Sequence, residues 1–320
     1  MCNNKFYKFL MLTILLGQFG CNNNPVEEPD FDKTNAFVFV RKQVEFGPRV
    51  PNSEAHRNCK NWLVSEFKNH GAQTIEQDFT DTAFDGTILN GTNIIASHNP
   101  SAKHRIILAA HWDSRPFSDQ ESDTVLSKKA VDGADDGASG VGVLLEISRL
   151  IQASPLSKLG IDIILFDCED YGTNGGAIET WCLGSQHWSK NLHNEGYKAD
   201  YGVLLDMVGA KDPYFSQEYY SKQLAPKVVD KVWKLAKEMG FEKNFVDAAG
   251  EPIIDDHIFV NQNARIPMIN IINRPIGSKT GFVHHWHTQK DNMNAIDPNS
   301  LEMVGRVLTR LIYLENADKI

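Results

Sequence analysis

The chain has 320 residues, 42% of them hydrophobic and 23% charged, which is enough apolar material for one large core, and it contains no repeats or low-complexity blocks. Its formal net charge of −9 and the lack of any basic stripe exclude nucleic acid or an anionic membrane surface as partner, since both require clustered Lys and Arg to displace counterions.

Lys5 and Lys8 precede the apolar run Phe9–Leu16, which leads into Gly17-Gln-Phe-Gly20 and Cys21. A charged start, an apolar stretch too short to span a bilayer and a small residue before a cysteine predict an export signal over residues 1–20. The pattern resembles a bacterial lipoprotein signal, in which Cys21 becomes an acylated N-terminus. A periplasmic or cell-envelope location follows, with simple secretion as the alternative. Residues 21–32, rich in Asn, Pro and acids, read as a mobile tether, and residues 33–320 as a single catalytic domain. Beyond Cys2 and Cys21 the chain has Cys59, Cys168 and Cys182. Three is an odd number without a CxxC pair, so buried free thiols are expected, with a Cys168–Cys182 bridge left open.

Ser53 is placed to cap a helix running to Gly71, with Ala55, Cys59, Trp62, Leu63 and Phe67 on its inner face. Thr74–Thr80 and Asn93–Ser97 alternate as strands do, and Arg105–Ala110 is the continuous apolar run of a strand buried on both faces. Helical spacing over residues 137–152 carries the chain to a strand at Ile161–Phe166. A strand at Tyr201–Met207 and a helix from Pro226 to Gly240 follow. A last strand at Met268–Ile272 and a helix within Ser300–Leu314 complete a three-layer α/β/α sandwich with a mostly parallel central sheet. The connections over residues 113–135, 171–187 and 273–285 are too long for simple turns and read as binding walls.

The apolar runs share one feature: each leads into acids or histidines. Residues 106–110 lead into His111-Trp-Asp113, 161–166 into Asp167-Cys-Glu-Asp170, 203–205 into Asp206, and 268–272 into a loop ending Trp286-His287. Asp136 adds a carboxylate within a Gly-rich segment. In open α/β sheets ligands gather beyond the carboxyl ends of the strands, so these residues share one crevice. Zinc takes His nitrogen and carboxylate oxygen, and Asp136, Asp170 and His287 would supply such a set with one position open. Glu169 adjoins Asp170, and neighbours in extended backbone point to opposite sides. One can therefore hold metal while the other works as general acid and base.

These stretches resemble the secreted zinc-dependent glutaminyl-peptide cyclotransferases (glutaminyl cyclases) of the animal type and their bacterial branch, which share a fold with the zinc aminopeptidases. The matching segments are Ala110-His-Trp-Asp-Ser-Arg115, Gly133-Ala-Asp-Asp-Gly-Ala138, Leu165-Phe-Asp-Cys-Glu-Asp170, Leu183-Gly-Ser-Gln-His187, Leu204 to Ala210 with Asp212-Pro-Tyr-Phe215, Ile254-Asp-Asp-His257 and Trp286-His-Thr288. The resemblance implies that Asp136, Asp170 and His287 hold one zinc per chain and that Glu169 moves the proton. It further implies that Asp206 and Asp255 form a hydrogen-bonded carboxylate pair behind Glu169, and that Trp286 and Trp181 wall the pocket. Two departures stand out: Asp170 replaces the Glu of the animal enzymes, and Ala110 and Val141 replace their paired cysteines. Trp181 lies in a loop of different length.

The implied reaction is cyclisation of the N-terminal glutamine of peptides and proteins to pyroglutamate, with release of ammonia. The alternative is a dinuclear zinc aminopeptidase, because His111, Asp136, Asp170, Asp206 and His287 are all capable of binding two zincs. Trp286, the Leu204–Ala210 run and the Asp255-Asp256 doublet favour the cyclase. A receptor-like ectodomain of the same fold would require a broken metal set, and no expected position is broken.

Overall fold

A computed structural model describes residues 26–320; the expected export signal and Cys21 lie outside the described residues. In chain order the elements are α1 (Lys33–Glu45), α2 (Glu54–Asn69), β1 (Gln73–Thr82), β2 (Ile88–His98), β3 (His104–His111), α3 (Ala138–Ala153), β4 (Leu159–Phe166), α4 (Leu183–Lys190) and β5 (Tyr201–Asp206). There follow β6 (Phe215–Gln217), α5 (Tyr219–Leu224), α6 (Pro226–Glu238), β7 (Phe245–Ala249), α7 (Asp256–Phe259), β8 (Met268–Ile272) and α8 (Pro298–Asn316). Six strands form one sheet in the order β1-β2-β4-β3-β5-β8, and β6 pairs with β7 apart from it. The pairs β4/β3, β3/β5 and β5/β8 are parallel, whereas β1 and β2 join antiparallel at one edge.

The two faces of the sheet divide the strand residues by parity, as a two-residue period requires. Ile106, Leu108 and Ala110 of β3 pack with α1, α2, α3, α6 and α8, while Ile107 and Ala109 pack with Trp188 of α4 and Val260 beyond α7. This is the expected three-layer sandwich. Burying each such Ile or Leu side chain contributes about 1.5–3 kcal/mol relative to exposure.

Helix α3 is buried on nearly every side because it lies between the sheet and two other helices. Glycine permits that closeness at two positions. A Cβ on Gly140 would stand 2.7 Å from the Leu205 carbonyl, and one on Gly142 would stand 2.5 Å from Val40 of α1. The chain after β3 returns through α3 to β4 on one side, then crosses back to β5 on the other. The carboxyl ends of β4, β3 and β5 therefore frame a switch point, where crevices open.

Besides the short β6 and β7, two features near the N-terminal side differ from the sequence reading. Helix α1 was not expected; Asp32 caps it by accepting from the amides of Thr34 and Asn35, and Ala36, Val40 and Gln43 are its buried stripe. The described part of the presumed tether docks as well. Phe31 is buried in the main core, and Arg310 of α8 donates to Glu28 at 2.9 Å. Apolar burial of Phe31 and the Asp32 cap thus order a segment whose composition reads as solvated. Cys59, Cys168 and Cys182 are all free and buried, so the bridge left open does not form.

Candidate active site

The acids at the ends of β4 and β5 meet at this switch point, except Asp167, which turns to His56 at 2.8 Å. Donor atoms of Asp136, Asp170 and His287 lie within 4.8 Å of one another, and all three residues are buried. His287 Nε2 stands 3.1 Å from Asp170 Oδ1 and 3.7 Å from Asp136 Oδ2. A tetrahedral zinc about 2.0–2.2 Å from each donor would space its ligands about 3.3–3.6 Å apart, so these positions fit the ion.

The histidine is aimed from behind. Asp119 accepts from His287 Nδ1 at 3.1 Å, which leaves Nε2 facing the two carboxylates. Arg115 holds Asp119 in turn, through Nε at 3.1 Å and Nη2 at 2.8 Å, and its Nη1 donates to the carbonyls of Asp170 and Gly172. Burial lowers the His287 pKa, but Asp170 and the Asp119 hydrogen bond raise it further, to about 9.

Two other carboxylates clamp the acidic dipeptides by their amides. Asp113 accepts from Glu169 N and Asp170 N, each at 3.1 Å. Asp291 accepts from Asp135 N at 2.7 Å and Asp136 N at 3.2 Å. The loops they fix carry strain, since Cys168, Cys182, Met207 and His287 all have positive φ without being glycine. Such conformations cost of order 1–3 kcal/mol each and persist where surrounding bonds over-determine them.

Glu169 lies on the other side of the dipeptide from Asp170. Its carboxylate shares a cluster with Asp255 and Cys182, and the Cys182 thiol donates to Oε1 at 3.2 Å. Burial, with Asp170 and Asp255 nearby, pushes the Glu169 carboxyl well above the usual range, against the opposing pull of His111. Burial and the carboxylate Glu169 also push the Cys182 thiol far up, so it remains a neutral donor.

Asp206 closes β5 in the same pocket. Its Oδ1 is buried without a hydrogen-bond partner and faces His111 Nε2 at 3.5 Å. The direct Asp206–Asp255 hydrogen bond implied by the resemblance is not among those of the described residues. Asp255 instead accepts from Asn270 Nδ2 at 2.6 Å, and its charge contributes to raising Asp206, whose main upward push is burial. His111 Nε2 pairs with Asp136 Oδ1 at 2.9 Å, so His111, Asp136 and Asp206 form a second set of possible ligands. Burial raises Asp136, but the neighbouring His111 and His287 outweigh it and bring the carboxyl below its usual value. Asp256 turns away, fully buried, with neither oxygen hydrogen-bonded.

The pocket these groups enclose is about 320 Å³ and is walled by Trp181, Trp286 and Phe282. Trp286 stacks on His287 at 3.8 Å and on Phe282 at 4.3 Å, while Arg115 lies 4.8 Å from the Trp181 ring centre. All eight expected site residues thus line it: Asp136, Glu169, Asp170, Trp181, Asp206, Asp255, Trp286 and His287. The supporting residues Asp113, Arg115, Asp119, Cys182 and Asp291 were not foreseen in these roles. Of them, only Asp113 carried a signal, its position just beyond a strand end.

Fold and site together define a zinc-exopeptidase type of α/β sandwich. A family model for Peptidase family M28 matches residues 93–312, and the chain belongs to that family. Glutaminyl-peptide cyclotransferase of Drosophila melanogaster is 28% identical over 296 residues, spanning 84% of this chain and 77% of that protein. Among solved structures, Bacteroides thetaiotaomicron glutaminyl cyclase bound to N-acetylhistamine superposes with a TM-score of 0.87 at 47% identity, over 90% of this chain and 99% of that one. A Zn-dependent exopeptidase from Parabacteroides distasonis superposes with a TM-score of 0.88 at 48% identity, over the same shares of the two chains.

Proposed function

We propose that the protein is a glutaminyl-peptide cyclotransferase, cyclising N-terminal glutamine to pyroglutamate with release of ammonia. The observation that carries this reading is the placement of Glu169: its carboxylate faces a residue-sized pocket between the Asp136, Asp170 and His287 donors and Asp255, under aromatic walls. The similarity to glutaminyl cyclases over nearly the whole of a solved chain supports it.

Asp136, Asp170 and His287 would hold one zinc, which when bound supplies Lewis-acid polarisation of the substrate γ-carbonyl. Trp286 and Trp181 confine the glutamine so that its α-amine meets its own side chain, which turns the reaction into a question of ring-closing geometry. As the C–N bond forms, Glu169 takes the amine proton. It returns that proton to the side-chain nitrogen, which leaves as ammonia as its bond to carbon breaks. Burial favours this role, because it raises the Glu169 carboxyl above its ordinary range and so makes the carboxylate a stronger base toward the amine. Cys182 orients Glu169, and Asp206 and Asp255 stand behind it.

A zinc aminopeptidase is the second reading, favoured by the His111, Asp136 and Asp206 set, which with the first would hold two ions. A peptide beginning with Gln decides between them. The cyclase yields a product lighter by one ammonia with every peptide bond intact, and one zinc per chain. Free amino acids from Leu- or Met-initiated peptides, with two zincs per chain, would overturn the proposal.

The substrates are reached outside the cytoplasm if residues 1–20 direct export and Cys21 is acylated; the charged start, apolar run and Gly20-Cys21 junction support that reading. No helix among the described residues is long and apolar enough to cross a membrane.

A further inference from the structure

A second and larger hollow, about 860 Å³, lies beside the first and shares Phe282 and Trp286 with it. The stacked Phe282–Trp286 ridge separates the two, so one path for a peptide out of the smaller pocket crosses it into this groove. The charge of the groove is opposite to that of the chain. Lys211, Lys279 and Lys290 line it, Asp212 is its one carboxylate, and the protein as a whole carries −9. None of the three lysines forms an ion pair among the described residues, although the surface is rich in acids, and all three are exposed. Unpaired like charges lining one groove repel one another and bring no benefit to the folded chain alone. The catalytic pocket is acidic and the adjoining groove basic, which sets a direction along the substrate.

Resting on the glutamine reading above, we infer that this groove selects substrates with acidic residues downstream of the N-terminal glutamine. The lysines attract carboxylates two or more residues along the chain, while the neighbouring apolar surface of Ile276, 82% exposed, covers the backbone between them. Exposed lysines act through long-range attraction and association rather than buried pairing, so the preference belongs in KM and falls with salt.

The test compares C-terminally amidated peptides Gln-Ala-Glu-Glu-Ala, Gln-Ala-Ala-Ala-Ala and Gln-Ala-Lys-Lys-Ala on the zinc-loaded protein, with Gln-Ala amide as reference. Two exposed pairs at the usual strength, turned to like-charge repulsion in the lysine peptide, predict a kcat/KM about tenfold higher for the glutamate peptide than for the lysine peptide. The difference should vanish near about 1 M salt, where screening is nearly complete. The combined variant Lys211→Glu, Lys279→Glu, Lys290→Glu should invert the order and leave the dipeptide amide unchanged. Equal kcat/KM for the acidic and basic peptides, or a preference that survives the triple substitution, overturns the inference. If no peptide is cyclised, the glutamine reading fails by itself. Calorimetric Kd values of the same peptides then decide the groove: tighter binding of the acidic peptide, lost in the triple variant, sustains it, and equal Kd values overturn it.

Discussion

Asp119 offers a sharp test of how the donor set is built, because it does not itself line the pocket and reaches the donor set through His287 and Arg115. Asp119→Ala removes the acceptor for His287 Nδ1 and frees the ring to rotate or to take the other tautomer. Loss of such a supporting carboxylate weakens metal binding by about 10- to 100-fold, equivalent to about 1.4–2.7 kcal/mol. A second effect acts in the same direction. Arg115 is 1% exposed and keeps Asp170 Oδ1 at 3.5 Å, so a guanidinium released from Asp119 pairs more fully with a zinc ligand. Asp119→Asn retains an oxygen for His287 and should fall between wild type and Asp119→Ala. Zinc Kd measured by competition with a chelating dye reads these differences directly. Asp123→Ala serves as control, since Asp123 lies in the same loop and caps only the amides of Val125 and Leu126. Zinc binding by Asp119→Ala within twofold of wild type would refute the reasoning.

Glu169→Gln preserves shape but not the base, so activity should fall by about 10²-fold or more with zinc still bound; loss of zinc in parallel would make Glu169 a ligand instead. Cys182→Ala removes the donor to Glu169 Oε1 and should lower kcat by about 2- to 10-fold, with Cys182→Ser restoring most of it; equal rates for Ala and wild type would reduce the contact to packing. Glu218 is buried, which pushes its carboxyl up, but His257 at 3.1 Å and the amides of Ser221 and Tyr220 hold it down to about 2. A depressed pKa contributes stability that is present above the unfolded value of about 4.3 and lost as pH falls toward 2. Glu218→Gln should therefore flatten the drop in Tm across that window, and an unchanged slope would remove Glu218 from the acid response. Cys21→Ser should keep the exported protein out of the detergent phase, whereas unchanged partitioning would point to a different anchor.

The strands framing the site were legible because burial on both faces leaves apolar runs, continuous in β3 and β5 and broken only by Asp162 in β4 and Asn270 in β8. Helix α1 was not, since Phe37-Val-Phe-Val40 is a run whose period does not separate helix from strand; only Asp32 as a cap and the spacing of Ala36, Val40 and Gln43 resolve it. The short β6 and β7 were missed for want of any run. Within the site, groups that face substrate or metal sit at strand ends and show in the pattern. Groups that hold them do not, because Asp291 reaches the amides of Asp135 and Asp136 across more than 150 positions with no local signature.

The acidic doublets show where local reasoning stops and packing takes over. Alternation in extended backbone says that Glu169 and Asp170 point apart, but not which faces the metal, and it says nothing of Asp135-Asp136 in a turn or of Asp255-Asp256 at the start of α7. The partner across from each decides. Asp135 is claimed by His285 at 2.8 Å and the Gly209 amide at 2.7 Å, which leaves Asp136 for His111 and the donor set. Asp170 is drawn toward His287 and Arg115, and Glu169 toward the Cys182 thiol. Asp255 is held at the pocket by Asn270 from β8, while Asp256 is driven into the core. In each doublet a residue distant in sequence assigns the roles.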